Sequence, residues 1–386
     1  MALRFLTAGE SHGRALTGII EGVPAGLALS GEDIDPELKR RQGGHGRGGR
    51  MKIEADRVDI LSGVRWGRTT GSPITLVVEN KDWQNWKEGM SAEEALQGSI
   101  EAVTRPRPGH ADLAGALKYG EHDIRNILER SSARETAMRV ALGAVAKKFL
   151  HAFGIAIGSY VTGIGTVSIK PDTADLMSLF ERAEASAVRC PDGKASREMV
   201  ELIDRAASEG NSLGGVFEVF ALSLPPGLGS HIQWDRRLDG RLSQALMSIQ
   251  AIKGVEVGLG FEAARRTGRE VMDEITGDKP PFNRKTNNAG GVEGGISNGM
   301  PLILRAAMKP IPTQKRPMKS VDIITREPFE AAYERSDVCA APAASVIGEA
   351  MAALLIADAF LEKFGGDSMA ETGRNHKAYL KAVEEF

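Results

Sequence analysis

The densest grouping of chemistry-bearing residues is RRQGGHGRGGRM at positions 40–51. Between Lys39 and Arg50 stand five basic side chains (Lys39, Arg40, Arg41, Arg47 and Arg50), five glycines and no acid. Glycine lets the backbone approach a ligand and turn its N–H groups inward, and arginine adds a forked donor that matches phosphate or carboxylate oxygens. The combination suggests an anion cradle. Gly44 to Gly49 also fits G-x-G-x-x-G, but the preceding IDPELKRR reads as a short helix, whereas a dinucleotide fingerprint needs a strand before the turn. An RGG-type RNA contact is a further reading, although such segments belong to long disordered tails and this one sits once inside a foldable chain. A solvated basic loop is the plainest alternative.

A second cluster is TRPRPGHAD, residues 104–112. Pro106 and Pro108 stiffen the chain and Gly109 permits a turn, so Arg107 and His110 are expected in a loop of limited freedom. Histidine titrates near neutral pH and suits general acid work beside phosphate or carboxylate groups, although a lone loop histidine is otherwise an ordinary surface residue. A third cluster, ERSSARET at 129–136, opens a helix. There Ser131, Ser132 and free N–H groups meet Arg130 and Arg134, either as an anion site or as an ordinary capping box. Glu10, Ser11 and His12 in TAGESHG, Asn287 and Asn288 before the glycines of AGGVEGGISNG, Lys309 and Thr313 in MKPIPT, and Arg335 and Asp337 in ERSDVCAAPAAS complete the set. Together these groups suit a large polyanionic ligand better than a single phosphate.

Residues 132–152 carry a capping-box pattern, apolar residues at helical spacing (Met138, Leu142, Val145, Phe149) and a stop at Gly154. Residues 342–363 begin at Pro342, end before Gly365 and are apolar around most of their circumference, so this helix is expected to be buried centrally. A third helix is expected over 236–251 and a short one from Ser91 to Leu96. Strand-like runs are Leu16–Val23, Val58–Val64, Ile74–Glu79, Ile155–Ile164, Val216–Leu224 and Leu302–Met308. A faint repeat aligns residues 17–27 with 214–228 and 69–82 with 296–310. One continuous domain over 1–386 is therefore expected, an α+β fold built as a duplicated β-α-β sandwich with long central helices between antiparallel sheets.

Composition narrows the function classes. The 386 residues hold 49 basic and 51 acidic side chains, a net charge of −2 that argues against a generic nucleic-acid binder. No run approaches a membrane span and MALRFLTAGESHG lacks the apolar core of a signal peptide, so a cytoplasmic protein with no membrane partner is expected. Cys190 and Cys339 are far apart and the seven histidines show no zinc spacing, so no metal site is expected. Glycine is the anomaly: 45 residues, where an average of roughly 7% would give about 27. Five lie in 43–49 and five in 290–299, both inside the expected ligand loops.

TAGESHG, RRQGGHGRGGRMKIE, RPRPGHADL, ERSSARET, GGVEGG, MKPIPT and ERSD, in this order and over essentially the whole chain, resemble the chorismate synthase family. The resemblance implies loss of phosphate and a C6 hydrogen from 5-enolpyruvylshikimate 3-phosphate by anti-1,4 elimination, giving chorismate, the final common step of the shikimate pathway to aromatic amino acids. It implies a cofactor, reduced FMN, although the reaction is redox neutral; it also associates NADP with the enzyme and implies a homotetramer. By resemblance Arg41, Arg47, Arg107, Arg134 and Arg335 would grip the substrate, with Arg50 close by. His110 would protonate the departing phosphate, His12 would protonate or stabilise the reduced flavin, and Asp337 would assist removal of the C6 proton. FMN would sit on Arg130, Ser131, Ser132, Gln250, Ala251, Gly294, Lys309, Pro310, Ile311, Pro312, Thr313 and Arg335. Two positions depart from the family pattern, Gln250 in place of the common Asn and Val338 in place of the usual Pro. No insertion large enough for a flavin reductase is present, so an external reductase or other source of FMNH2 is expected as partner.

Overall fold

The computed structural model describes residues 2–48, 55–331 and 337–386; Arg50 and Arg335 lie outside the described residues. Two antiparallel sheets enclose a helical layer. The first runs in the order β1 (Arg4–Ala8), β2 (Ala15–Glu21), β6 (Ile74–Glu79), β3 (Asp59–Ile60). The second runs β10 (Ile252–Val257), β15 (Leu302–Met308), β9 (Gly215–Leu222), β7 (Ala156–Ile164), β8 (Val167–Ser168). All their pairings are antiparallel, as expected for an α+β fold. Small hairpins pair β4 (Val64–Arg65) with β5 (Arg68–Thr69), β11 (Ile275–Thr276) with β12 (Asn283–Arg284), β13 (Val292–Glu293) with β14 (Ile296–Ser297), and β16 (Lys319–Val321) with β17 (Pro328–Glu330).

Helix α4 (Thr136–His151) lies on β2 and β6, and α9 (Ala341–Phe364) lies on β7 and β9. Alternation places it: Leu16 and Ile20 on β2, and Ile74, Leu76 and Val78 on β6, are fully buried on the face toward α4. Gly18 stands in the same row, and a β-carbon there would come within 2.6 Å of the Met138 side chain. Strands β7 and β9 are buried along almost their whole length. Here α9 covers one face, while α5 (Leu176–Glu184) packs on β7 and brings Leu176 and Leu179 against Tyr160 and Phe220. The remaining helices surround this frame: α1 (Gly31–Gln42), α2 (Asp112–Tyr119), α3 (Arg125–Ser131), α6 (Gly193–Ser208), α7 (Leu238–Met247), the four-residue α8 (Gly268–Val271) and α10 (Met369–Glu384).

Helix α9 is long and apolar enough to span a bilayer, yet 94% of its apolar window is buried inside the protein. Its fully buried Glu349 is held by charge: Arg40 and Lys147 each approach to 2.8 Å, Arg189 to 3.1 Å, and Ser159 donates at 2.6 Å. Burial would raise the Glu349 carboxyl, but Lys147, Arg40 and Arg189 outweigh it and hold it well below the usual carboxylate range. One carboxylate thereby ties α1, α4 and β7 to the central helix.

Local differences from the sequence pattern have identifiable causes. The helix expected from 132 starts at Thr136, because Ala133–Glu135 form a 3-10 turn whose Arg134 N–H donates to the Ser132 hydroxyl at 3.3 Å. The strand expected over 58–64 survives only as β3 and the start of β4, since Gly63 turns the chain at φ +79°. Of the helix expected from Ser91, a 3-10 turn at Glu94–Leu96 forms.

Two outcomes follow. Gly143→Ala should destabilise the protein by about 1–3 kcal/mol despite the better helix propensity of alanine. A β-carbon at position 143 would lie 2.4 Å from the Ala350 β-carbon and 2.6 Å from its α-carbon. An unchanged urea midpoint would show that the two helices can separate freely. The depressed Glu349 carboxyl stabilises the fold fully above its unfolded value of roughly 4.3, and that contribution disappears as pH falls through the lower native value. Glu349→Gln should therefore flatten the acid side of the stability profile; an unaltered acid limb would show that this group does not drive it.

Candidate active site

The site is built around the start of α4. Arg41 occupies the same face of α1 as the buried Ile34 and Leu38, which carries its guanidinium inward until only 4% of the residue is exposed. Its Nε donates to Thr136 Oγ1 at 3.0 Å and its Nη2 to the Ala133 carbonyl at 2.9 Å. Arg134 is buried beside it, donating to Asn80 Oδ1 at 2.9 Å and to both oxygens of Asp56 at 2.8 and 2.7 Å. Burial, with the cations of Arg47 and Arg134, pushes the Arg41 guanidinium down to about 9, still charged at neutral pH.

The glycine-rich segment following α1 is folded against the body of the protein. His45 N–H donates to the Ala187 carbonyl at 2.7 Å, and Val338 N–H donates to Gly46 O at 2.8 Å. Arg47 Nη1 meets Asp337 Oδ2 at 2.7 Å, and Gly48 N–H donates to Asp337 Oδ1 at 2.6 Å. Gly46 adopts φ +82°, and a β-carbon there would sit 2.8 Å from Ile203. Residues 43–48 thus form a docked stretch that places Arg47 and Asp337 together.

Two histidines border this centre. His12 points Nδ1 at Glu129 Oε1 (2.8 Å), its own N–H donates to Glu129 Oε2 (2.7 Å), and its ring stacks 4.3 Å from Trp86. Ser132 donates to Ser11 at 3.1 Å, joining His12's loop to the α4 start. His110 contacts Asp112 Oδ1 through Nδ1, and the same carboxylate accepts from Arg107 Nε at 2.9 Å. Arg107 Nη1 reaches Thr313 Oγ1 at 3.3 Å.

The MKPIPT segment links these groups. Lys309 N–H donates to Ala251 O at 2.9 Å, and its ammonium contacts the Gly109 carbonyl beside His110. Burial and the Lys253 cation push the Lys309 ammonium below its ordinary value. Ile311 O accepts from Ser212 at 2.7 Å, and Leu213 N–H donates to Val338 O at 2.8 Å. Gln250 Nε2 donates to Glu135 Oε2 at 3.2 Å; Ala251 follows at φ +67°, a left-handed conformation unusual for alanine. Hydrogen bonds and short stretches of chain thus link Arg41 and the α4 start, through Gln250, Ala251, Lys309, Gly109, His110, Arg107, Thr313, Pro312, Ile311, Ser212, Leu213 and Val338, to Asp337 and Arg47.

Other expected residues stand at the margin. Arg130 donates to Thr7 O at 2.8 Å and Gly9 O at 3.2 Å on the edge of β1. Ser131 ends α3 with its hydroxyl donated back to Ile127 O at 2.6 Å, so only Ser132 faces the centre with its side chain. Pro310 lies between Lys309 and Ile311 in the MKPIPT segment. Gly294 occupies the β13–β14 turn at φ +60° with open space beyond its α-carbon, and the hairpin is attached to α7 through Gly295 O and Leu238 N–H at 2.9 Å. The sequence motifs emphasised cations; their acidic partners Asp56, Asp112, Glu129 and Glu135 went unrecognised. Asp112, Glu129 and Glu135 lie within the motifs themselves, Glu135 as part of the capping-box pattern. Asp56 lies two residues beyond the end of the motif RRQGGHGRGGRMKIE, with no local pattern to mark it.

Buried Arg41 Nη1, Arg47 Nε and Gln250 Oε1 have no hydrogen-bond partner among the described residues. The two buried arginine donors left this way favour a ligand rich in acceptor oxygens. Inorganic phosphate or pyrophosphate should raise the Tm above that in chloride of matched ionic strength, by the equivalent of about 1.4 kcal/mol at tenfold excess over Kd. Arg41→Met and Arg47→Met should each lose most of that rise; an equal rise in both variants would place the anion elsewhere.

A sequence profile of the chorismate synthase family matches residues 3–361. A chorismate synthase from Trichlorobacter lovleyi is 60% identical with full coverage of both chains, and one from Aquifex aeolicus is 58% identical over all of this chain and 99% of its own. A crystal structure of a chorismate synthase superposes with a TM-score of 0.81 at 50% identity, covering 100% of this chain and 99% of that one. Motifs, fold and relatives agree over the full length, and the chain belongs to the chorismate synthase family.

Proposed function

We propose that this lyase converts 5-enolpyruvylshikimate 3-phosphate to chorismate and phosphate by anti-1,4 elimination in the presence of reduced FMN. The observation that carries the reading is this linked set, which holds a carboxylate-held histidine, a carboxylate paired with arginine and buried arginine N–H groups without a hydrogen-bond partner among the described residues. The substrate brings two carboxylates and a phosphate, acceptors that match those donors. Arg41, Arg47, Arg107 and Arg134 bind and orient it, with Arg50 and Arg335 assigned to the same task from sequence. His110 protonates the departing phosphate. Asp337, held by Arg47 and the Gly48 N–H, takes part in removing the C6 proton.

The residues fit a flavin. Gln250 Oε1 is a buried acceptor awaiting an N–H donor, which the ring of reduced FMN offers, and Lys309 and Arg130 supply cations for its phosphate. Ser132, Ala251, Gly294, Pro310, Ile311, Pro312 and Thr313 would line the cofactor, and Ser131, its hydroxyl already engaged, would contribute backbone. Reduced FMN, when bound, supplies electron density that helps expel the phosphate. His12 holds a proton toward the flavin, oriented by Glu129. We also infer a cytoplasmic homotetramer served by an external reductase. An internal duplication is part of the same reading, supported by β2 and β6 neighbouring each other beneath α4 while β9 and β15 neighbour each other in the sheet beneath α9.

Purified protein should release phosphate from 5-enolpyruvylshikimate 3-phosphate anaerobically with dithionite-reduced FMN and not without it; no release under those conditions would end the reading. His110→Ala and Asp337→Asn should each lower kcat by about 10²–10⁴-fold with the Tm preserved. Wild-type turnover in either variant would remove that residue from its assigned role.

A further inference from the structure

We propose that Asp112 is a positioning residue, a single buried carboxylate that fixes the tautomer of His110 with Nδ1–H inward and Nε2 toward the substrate while holding Arg107 in place. The inference rests on the proposed role of His110. It extends that role to a residue that would act through its neighbours.

The geometry is that of a carboxylate whose hydrogen bonds among the described residues come from two functional residues, Arg107 and His110. Asp112 opens α2 with its side chain 1% exposed. One oxygen, Oδ2, accepts from both the backbone N–H and Nε of Arg107 at 2.9 Å. The other, Oδ1, faces His110 Nδ1 and Arg107 Nη2, the latter at 3.2 Å. Burial opposes ionisation, but the hydrogen bonds from His110 and Arg107 outweigh it and keep the carboxyl well below its usual range. An ionised carboxylate can only accept, so the proton between it and His110 belongs to Nδ1.

Two consequences follow for proton transfer. Arg107 Nη2 lies 3.1 Å from Nδ1 and 3.4 Å from Nε2, so an imidazolium at His110 stands beside a guanidinium. The Asp112 charge offsets that repulsion and permits His110 to carry the proton it delivers. Once Nε2 has given up its proton, the neutral ring left behind is already the Nδ1–H form bonded to Asp112, so no tautomer exchange is needed. Asparagine cannot substitute: with donors on both sides, either orientation of its amide turns an NH2 group toward a donor, His110 or Arg107. His12 makes a comparable contact, its Nδ1 lying 2.8 Å from Glu129 Oε1.

The test uses the full-length protein and two readouts. In ¹⁵N-histidine NMR spectra, neutral His110, assigned by its loss in His110→Ala, should show the Nδ1–H tautomer in the wild type and shift toward Nε2–H in Asp112→Asn. In turnover with reduced FMN, Asp112→Asn should lower kcat about 10²-fold or more. Adding it to His110→Ala should lower kcat by clearly less than it does alone, because the part acting through His110 is already lost and only the hold on Arg107 is left to disturb. An Nε2–H tautomer in the wild type, wild-type kcat in Asp112→Asn, or fully additive losses would overturn the assignment. Should Asp112→Asn fail to fold, the wild-type tautomer alone decides. Wild-type protein that folds, shows the Nδ1–H tautomer and yet releases no phosphate would sink the proposed reaction while leaving the Asp112–His110 pairing intact.

Discussion

The close crossing of α4 and α9 at Gly143 and Ala350 is the constraint on which the molecule depends. These are the eighth and tenth residues of their helices, about 11 and 14 Å along at the ordinary rise, so the two helices begin at comparable distances from a shared contact. The links of Arg41 to Ala133 and of Gly46 to Val338 place both beginnings at one end of the sandwich. Two positive helix ends therefore lie beside the segment that carries Arg41 and Arg47. A wider crossing would separate the turn carrying Arg134 from the segment carrying Asp337. The absent methyl group at residue 143 is thus connected to the chemistry through the rigid length of two helices.

The second organising principle is charge pairing in a dry interior. A pocket of unpaired guanidiniums would be strongly self-repelling, and the structure balances it locally: Asp56 with Arg134, Asp337 with Arg47, Asp112 with Arg107. The pairs fix arginine heads that would otherwise sample many rotamers, while Arg41 Nη1 and Arg47 Nε stay available. A ligand then meets donors already in position, which lowers the ordering cost of binding. Glu349 performs the equivalent structural task deeper in, where its three cationic partners come from α1, α4 and the segment before α6.

Much of this was legible in the sequence because the motifs are local. Glycine and arginine between 39 and 50, the stiffened RPRPGH loop and the central apolar helix all announce themselves within a dozen residues. Strands β6 and β15 match their apolar runs residue for residue. What could not be read were long-range pairings: Asp56 with Arg134, Glu349 with Arg40, Lys309 with the Gly109 carbonyl. Helices α5, α6 and α10 did carry signals, since Asp175, Asp192 and Ser368 each cap a first turn. Their mixed composition on the surface hid them beneath more conspicuous motifs. Ser131 shows the converse, a residue whose type suggested a ligand contact but whose hydroxyl folds back on its own helix.

The position of α9 in the chain has a consequence for biosynthesis. The helix that fills the middle of the sandwich is the last element but one, ending at Phe364 of 386 residues. β9 ends at Leu222 and α9 at Phe364, so at about 5–20 residues per second a ribosome works for roughly 7–28 s between them, and in that interval the apolar faces of β7 and β9 lack their principal cover. The nascent chain therefore carries an open hydrophobic seam from the completion of β9 until α9 arrives and closes it in one late step. Demand for chaperone protection should be concentrated in that interval, and truncations that remove α9 should aggregate rather than persist as smaller folded proteins.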